Sequence, residues 1–200
     1  MRKLRIFEHI SLDGIIEPTG RGEGDEFERG GWSAPYRSPA GAAMLAEAYG
    51  TNYDLLLGRR TYDLWSSFWP KMKGGPFADG LNAATKYVAT HRPEGLQWGP
   101  AHDLGPDIVA GVRRLKSTNG PDLNVCGSST ITSVLLEHAL ADEVVLAIYP
   151  LLMGQGKRFF AESTLRTELA LAASKTTPTG VLLNTYRYVG PLRPKSAPHG

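Results

Sequence analysis

Asp54-Leu55-Leu56-Leu57-Gly58-Arg59-Arg60-Thr61-Tyr62-Asp63 carries the reading of the fold. Three leucines behind an acid predict a buried strand, and Gly58 followed by two arginines and a threonine predicts the start of a helix. The first turn of a helix exposes N–H groups without intrahelical partners and carries the positive end of the helix dipole, so it attracts phosphate. Gly58 lets a ligand approach the main chain closely. Arg59 and Arg60 add permanent charge and forked donors that match phosphate oxygens, and Thr61 adds a hydroxyl at the helix mouth. Read alone, the segment also fits an ordinary strand-to-helix turn with two solvated arginines.

Two other predicted strand ends have the same character. Lys86 to Thr90 reads as a short buried strand ended by His91-Arg92-Pro93. Asp122 to Cys126 reads as a strand that runs into Gly127-Ser128-Ser129-Thr130, then a helix with Ile131, Val134, Leu135 and His138 on one face up to Leu140. Upstream, Leu4 to Ile10 predicts a strand ending at Ser11-Leu12-Asp13-Gly14, and Gly41 to Tyr49 an alanine-rich helix stopped by Gly50. Gly74, Gly75 and Pro76 read as a loop. Pro106 suits the first position of a helix that shares Ile108, Val112 and Leu115 on one face. Further strands are predicted over Asp142 to Tyr149, about Glu168 to Lys175 and Val181 to Tyr188.

Strands alternating with helices, then a closing strand pair, predict a three-layer α/β/α domain. Its sheet is mostly parallel, with an antiparallel C-terminal strand pair. One domain over 1–190 and a disordered Pro-rich tail over 191–200 are expected. The glycine- and proline-rich stretch from Gly20 to Pro39 also carries Phe27 and Trp32, which predicts a long loop folding back over a site.

Composition narrows the classes. Two hundred residues with 42% hydrophobic content suffice for one substantial core. A net charge of +2 without a stripe of Lys and Arg argues against nucleic acid as a partner. Cys126 is the only cysteine, which excludes an intramolecular disulfide and a thiolate-rich metal site; it is expected to act as a small core hydrophobe. No metal centre is expected. No apolar run approaches the roughly 20 residues that span a bilayer, and Met1 to Phe7 is too short for a signal peptide. A soluble, cytoplasmic protein is expected.

Open α/β sheets bind ligands just beyond the carboxyl ends of their strands. Three such ends rich in small, hydroxyl or basic residues suit a ligand with several phosphates. The Gly127 turn fits a pyrophosphate, while Arg59, Thr90 and His91 fit a separate phosphate. A dinucleotide with a 2′-phosphate has that charge distribution, so NADPH is expected over NADH. The chain lacks both the Gly-x-Gly-x-x-Gly fingerprint and a P-loop, which argues against a Rossmann site and against ATP chemistry.

These motifs, with Gly30-Gly31-Trp32, Leu140-Ala141-Asp142-Glu143 and Pro150-Leu151-Leu152-Met153-Gly154-Gln155-Gly156-Lys157-Arg158-Phe159-Phe160, resemble the dihydrofolate reductase-like superfamily. Within it, the chain looks most like the reductase domain of bifunctional riboflavin-biosynthesis enzymes and its stand-alone relatives, from about Arg2 to Tyr188. The resemblance implies a homodimeric, NADPH-dependent reductase of a small heterocycle, similar to 5-amino-6-(5-phosphoribosylamino)uracil reductase. A dihydrofolate or pterin reductase and a non-catalytic NADP(H)-binding protein are the alternatives.

By the same resemblance, Arg59 would grip the 2′-phosphate with Thr90 and His91. Gly58, Arg60 and Thr61 would contact the pyrophosphate on one side, and Gly127, Ser128, Ser129 and Thr130 on the other. His9, Ser11 and Leu12 would lie along the nicotinamide, mainly through backbone groups. Asp13 and Trp32 would face the substrate, although an Asp before Gly also serves as a turn residue and a Trp also serves packing. No acid–base residue stands out. Dihydrofolate reductases carry a carboxylic acid on the helix where this chain reads Ala42-Ala43-Met44, with Glu47 a turn further on. The riboflavin-pathway reductases carry an acid just ahead of the pyrophosphate-loop glycine, where this chain has Val125-Cys126. The deaminase zinc signature is absent. Lys157-Arg158 reads as a solvated turn.

Overall fold

The three leucines of the opening stretch sit at the middle of an eight-stranded sheet. A computed structural model describes residues 1–16, 31–160 and 165–192. In chain order the elements are β1 (Leu4–Ser11), α1 (Pro39–Tyr49), β2 (Tyr53–Gly58), α2 (Arg59–Phe68), α3 (Pro76–Ala83), β3 (Lys86–Ala89) and β4 (Ala101–Asp103). They continue with α4 (Ile108–Ser117), β5 (Asp122–Cys126), α5 (Ser129–Glu137), β6 (Glu143–Tyr149), β7 (Thr167–Thr176) and β8 (Leu182–Pro191). The sheet order is β4-β3-β2-β5-β1-β6-β8-β7.

Alternation along the strands divides the core into two layers. Leu55 and Leu57 pack with Phe7, Tyr49, Tyr62 and Leu81 on the face covered by α1, α2 and α3. Leu56 packs with Leu4, Ile6, Val125, Leu135 and Val144 on the face covered by α4 and α5. Coverage on both faces is why β2 reads as an unbroken apolar run. Burying each leucine fully contributes roughly 1.5–3 kcal/mol. The three-layer expectation holds.

Register places the functional edge. β1, β2, β3, β5 and β6 are parallel to their neighbours among themselves, so Ser11, Gly58, Ala89, Cys126 and Tyr149 all end on one side of the sheet. β1 pairs with β5 only as far as Phe7 with Cys126, yet it stays paired with β6 through Ser11 with Tyr149. Beyond Phe7 the sheet therefore forks, with β1 on one side and the β5–α5 turn on the other.

Several sequence expectations need correction. Pro76, read with Gly74 and Gly75 as a loop, instead opens α3, and β4 extends the sheet by a three-residue strand. Asp107, not Pro106, starts α4: its Oδ1 accepts the Ala110 N–H at 3.0 Å, a stronger N-terminal signal than proline at the first position. His138 is not on a buried face but is the exposed cap residue that ends α5. The antiparallel C-terminal strand pair is as expected: β8 runs antiparallel to β7 and also to β6, so β7 is parallel in direction to β6. β8 extends to Pro191; the rest of the expected tail, 193–200, and the 20–30 part of the expected loop lie outside the described residues. Among the described residues no helix is long and apolar enough to cross a membrane.

Candidate active site

The turns after β2 and β5 meet at the carboxyl edge. Ser128 takes φ +60° and turns its hydroxyl back, so that Oγ accepts the Gly58 N–H at 3.0 Å and lies 2.7 Å from Thr61 Oγ1. Both glycines are needed for this approach. A Cβ on Gly58 would sit 2.8 Å from Ser128 Oγ, and Gly127 has φ +61° with Thr61 Oγ1 3.2 Å from where its Cβ would be. The contact brings the N-termini of α2 and α5 together. Neither has a side-chain cap, so their first N–H groups face outward with both dipoles converging. Ser129 is buried and Thr130 is exposed at the mouth of α5.

Arg59 and Arg60 diverge from this point. Arg59 Nε bonds Asp63 Oδ1 at 2.7 Å, and Nη1 reaches the carbonyls of Arg92 and Glu94 on the loop after β3. Thr90 Oγ1 accepts the Arg92 N–H at 2.9 Å and so fixes the same loop. Arg59, Thr90 and the exposed His91 are thereby grouped on one flank. Arg60 is exposed and has no salt bridge among the described residues.

The end of β1 forms a braced turn. Ser11 Oγ donates to Asp13 Oδ1 at 2.5 Å and accepts the Ile15 N–H at 2.9 Å. Asp13 also accepts the N–H groups of Met153 and Gly154, at 3.1 and 2.7 Å, and its carbonyl accepts from Arg158. The Ser11 hydroxyl and the two N–H groups hold the Asp13 carboxyl down to about 2. It is ionised near neutrality and has no proton to give. Arg158, expected as a solvated turn residue, instead joins this brace. Leu12 is exposed, and its N–H bonds the Leu151 carbonyl at 2.9 Å.

On the α1 side of β1 lies an aromatic cluster. Trp32 meets Tyr149 edge-on with ring centres 4.8 Å apart, and Tyr36 does so at 5.6 Å. Tyr149 OH lies 2.9 Å from His9 Nδ1. Desolvation, then the nearby Arg37 charge, push His9 down to about 4, so its ring is neutral at pH 7. Burial pushes the Tyr149 phenol up to about 12, so it keeps its proton. Tyr149 and Tyr36 were not expected from the sequence. Tyr149 stands as the last residue of β6 on the same edge as the other sites, and that position was its signal. Cys126 is buried with its thiol 2.8 Å from the Tyr49 hydroxyl, and burial pushes it up to about 12.

On the α5 side of β1, Glu8 sits at the fork, only 7% exposed. Its Oε1 accepts the His9 N–H at 3.1 Å, while Oε2 has no hydrogen-bond partner among the described residues. Burial pushes its carboxyl up to about 8; the His9 N–H, the Lys157 charge and the Gly127 N–H oppose that rise. Sequence reading overlooked it. The signal was an acid at an inward position of Leu4-x-Ile6-x-Glu8-x-Ile10, where its neighbours on that face are all apolar.

Comparison with known proteins agrees with this architecture. The family model of the RibD C-terminal domain matches residues 2–183. Two uncharacterized Bacillus subtilis (strain 168) proteins are similar. YwjB is 27% identical over 188 residues, 93% of this chain and 98% of its own. YyaP is 26% identical over 140 residues, 68% of this chain and 74% of its own. Among solved structures, a protein assigned to riboflavin biosynthesis from Shewanella sp. PV-4 matches with a TM-score of 0.64 at 18% identity, covering 94% of this chain and 99% of that one. Enterococcus faecalis dihydrofolate reductase, complexed with NADP(H) and RAB-propyl, matches with a TM-score of 0.60 at 15% identity, covering 93% and 96%. At these identities the structures speak for the fold. With a family model covering nearly the whole sequence, the chain belongs to the RibD C-terminal domain family, and its fold is dihydrofolate reductase-like.

Proposed function

We propose that this protein is a reductase that uses NADPH to reduce a small heterocyclic substrate, of the kind handled by 5-amino-6-(5-phosphoribosylamino)uracil reductase. The observation that carries this reading is the pair of uncapped helix N-termini joined through Gly58, Ser128 and Thr61, on the same sheet edge as an aromatic cluster. The residues fit a dinucleotide: the two glycines let the strand-end turns close up so that both helix N-termini meet, and Arg59 and Arg60 follow directly on the first of these turns.

When bound, NADPH supplies the hydride. The first N–H groups of α2 and α5, with Arg60 and Thr61, would take up the pyrophosphate charge. Arg59, Thr90 and His91 would bind the 2′-phosphate, with Arg59 exchanging carbonyl partners for phosphate oxygens. The main chain from His9 to Leu12 would lie along the nicotinamide. Trp32, Tyr36 and Tyr149 would stack on a flat ring and exclude water, and neutral His9 would offer a hydrogen bond in place of a charge. Asp13 would position the turn without moving a proton. One domain over 1–190, a cytoplasmic setting and a homodimer belong to the same reading; exposed Leu171, Val189 and Leu192 are apolar surface that such a dimer would cover.

The pterin alternative has less support. Glu47 is the only acid on α1, and it is exposed and paired with Lys175 at 2.7 Å. Oxidation of NADPH followed by absorbance, with the phosphoribosylamino pyrimidine and with dihydrofolate, tests the function. Saturable turnover with the pyrimidine is expected. Turnover only with dihydrofolate overturns the substrate assignment, and saturable NADPH binding without turnover favours a binding protein.

A further inference from the structure

The fork between β1 and the β5–α5 turn contains a carboxyl group that the fold does not need. Glu8 is the first β1 residue beyond the last pair with β5, and its side chain shares a face with Leu4, Ile6 and Ile10. A buried polar atom without a partner costs stability, so such atoms are rare and call for a reason. Replacing Glu8 by a leucine would extend the apolar stripe without leaving an orphan. Oε1 is fixed by the His9 N–H, on the strand that borders the proposed nicotinamide position. The Gly127 N–H, at the proposed pyrophosphate turn, also faces the carboxyl. Glu8 thus bridges the two backbone segments between which a nicotinamide riboside and its phosphate would run.

We propose that Glu8 is a ligand-binding residue whose protonated Oε2 donates a hydrogen bond to an oxygen of the nicotinamide mononucleotide half of the dinucleotide. The proposal rests on the NADPH reading above. A neutral acid suits this place because a carboxylate beside a pyrophosphate would repel it. Charges around the group agree. Lys157 approaches from the segment after β6; Cys126 on β5 and Tyr49 on α1 keep their protons to high pH, and His9 on β1 is already neutral. Glu8, pushed up to about 8, is therefore the group among these whose ionisation falls in the slightly alkaline range.

The test compares NADPH with adenosine 2′,5′-bisphosphate, which lacks the nicotinamide half. Dissociation constants are measured from about pH 6.5 to about pH 9 for the wild type, Glu8→Gln and Glu8→Leu. The wild type should lose about tenfold in NADPH affinity across that range, with no matching loss for the bisphosphate. Glu8→Gln, which can still donate, should keep the affinity seen at low pH and lose the pH dependence. Glu8→Leu should bind NADPH about tenfold more weakly throughout and leave the bisphosphate unchanged. Calorimetry of the wild type in two buffers at about pH 8.5 adds a readout free of variants: NADPH should take up more protons than the bisphosphate. Equal pH dependence in wild type and Glu8→Gln, equal weakening of both ligands, or equal proton uptake overturns the proposal. A wild type that binds the bisphosphate but not NADPH also overturns it. A wild type that binds neither overturns the NADPH reading first, and Glu8's role with it.

Discussion

Asp54 and Glu8 are both acids buried within strands of the same sheet, 6% and 7% exposed, yet they lie at opposite edges and in different company. Asp54, near the amino end of β2, bonds the Arg2 guanidinium and accepts the Thr85 N–H at 3.2 Å. The charged groups nearest it at that edge are likewise paired, although Asn124 Oδ1, one position further along on β5, has no partner among the described residues. Lys116 bonds both the Asp142 carboxylate and the Leu140 carbonyl, and Asp142 also takes the Leu4 N–H at 2.7 Å. Buried Lys86 donates to the carbonyls of Asn82 and Gly99 with its ammonium 4.3 Å from the Trp98 ring centre. At the carboxyl edge, among the described residues, Glu8 keeps an oxygen without a partner and two helix N-termini have no side-chain cap. The amino edge is closed by its own charges, whereas the carboxyl edge leaves its donors and acceptors for something else.

The largest effect should come from breaking the closed edge. Asp54→Ala strands Arg2 in the interior and is expected to lower unfolding free energy by about 3–5 kcal/mol in urea denaturation. A loss under about 1 kcal/mol would mean that Arg2 finds water, and that the two edges differ less than they look.

Glu8→Gln should act with the opposite sign. The folded state raises this carboxyl from 4.5 to about 8, so the folded chain retains a proton that the unfolded chain has released. Stability from this group is full below about pH 4.5 and is lost as pH rises toward about 8. Near pH 8 the variant should be the more stable, by on the order of 3 kcal/mol, with little difference near pH 4.5. Thermal or urea melts at the two pH values check this. A variant less stable than wild type at pH 8 would show that the charge is already compensated.

A smaller loss is expected from Gly127→Ala. A left-handed residue costs roughly 1–2 kcal/mol with a side chain, and the new Cβ presses on Thr61 Oγ1. NADPH affinity should fall further than stability does, because the added methyl occupies the opening between the helix ends. Equal falls would make this turn purely structural. Tyr149→Phe is the mildest: it removes the contact with His9 Nδ1 and should cost about 1 kcal/mol of stability while raising the His9 pKa little, as measured by NMR titration.

How much of this was legible in the sequence follows the same division. The β2 leucines, the glycine turns and the alternation of strands and helices along the chain could be expected because apolar runs and glycines are local signals, whereas the order of the strands across the sheet was not read. Arg59, Thr61, Ser128 and Gly127 were singled out as candidates for the same reason, since each follows a strand end. Contacts between distant segments were not legible. Nothing in Ser11-Leu12-Asp13 says that its carboxylate will bind N–H groups at Met153 and Gly154, and nothing near Ser128 says that its hydroxyl will reach back to Gly58. α3 was not anticipated because Gly74, Gly75 and Pro76 read as a loop and mask a helix that begins with the proline itself. Glu8 was within reach: an acid that interrupts an alternating apolar face is a local signal, and it was passed over.

The most direct test of a carboxyl edge built for NADPH is a titration with NADPH and NADH, followed by tryptophan fluorescence, in the wild type and in Arg59→Ala. The account predicts tighter NADPH binding by the wild type, and a loss of roughly 1.5–3 kcal/mol for NADPH in the variant with NADH barely changed. Equal affinities for the two cofactors, unaffected by the substitution, would contradict it.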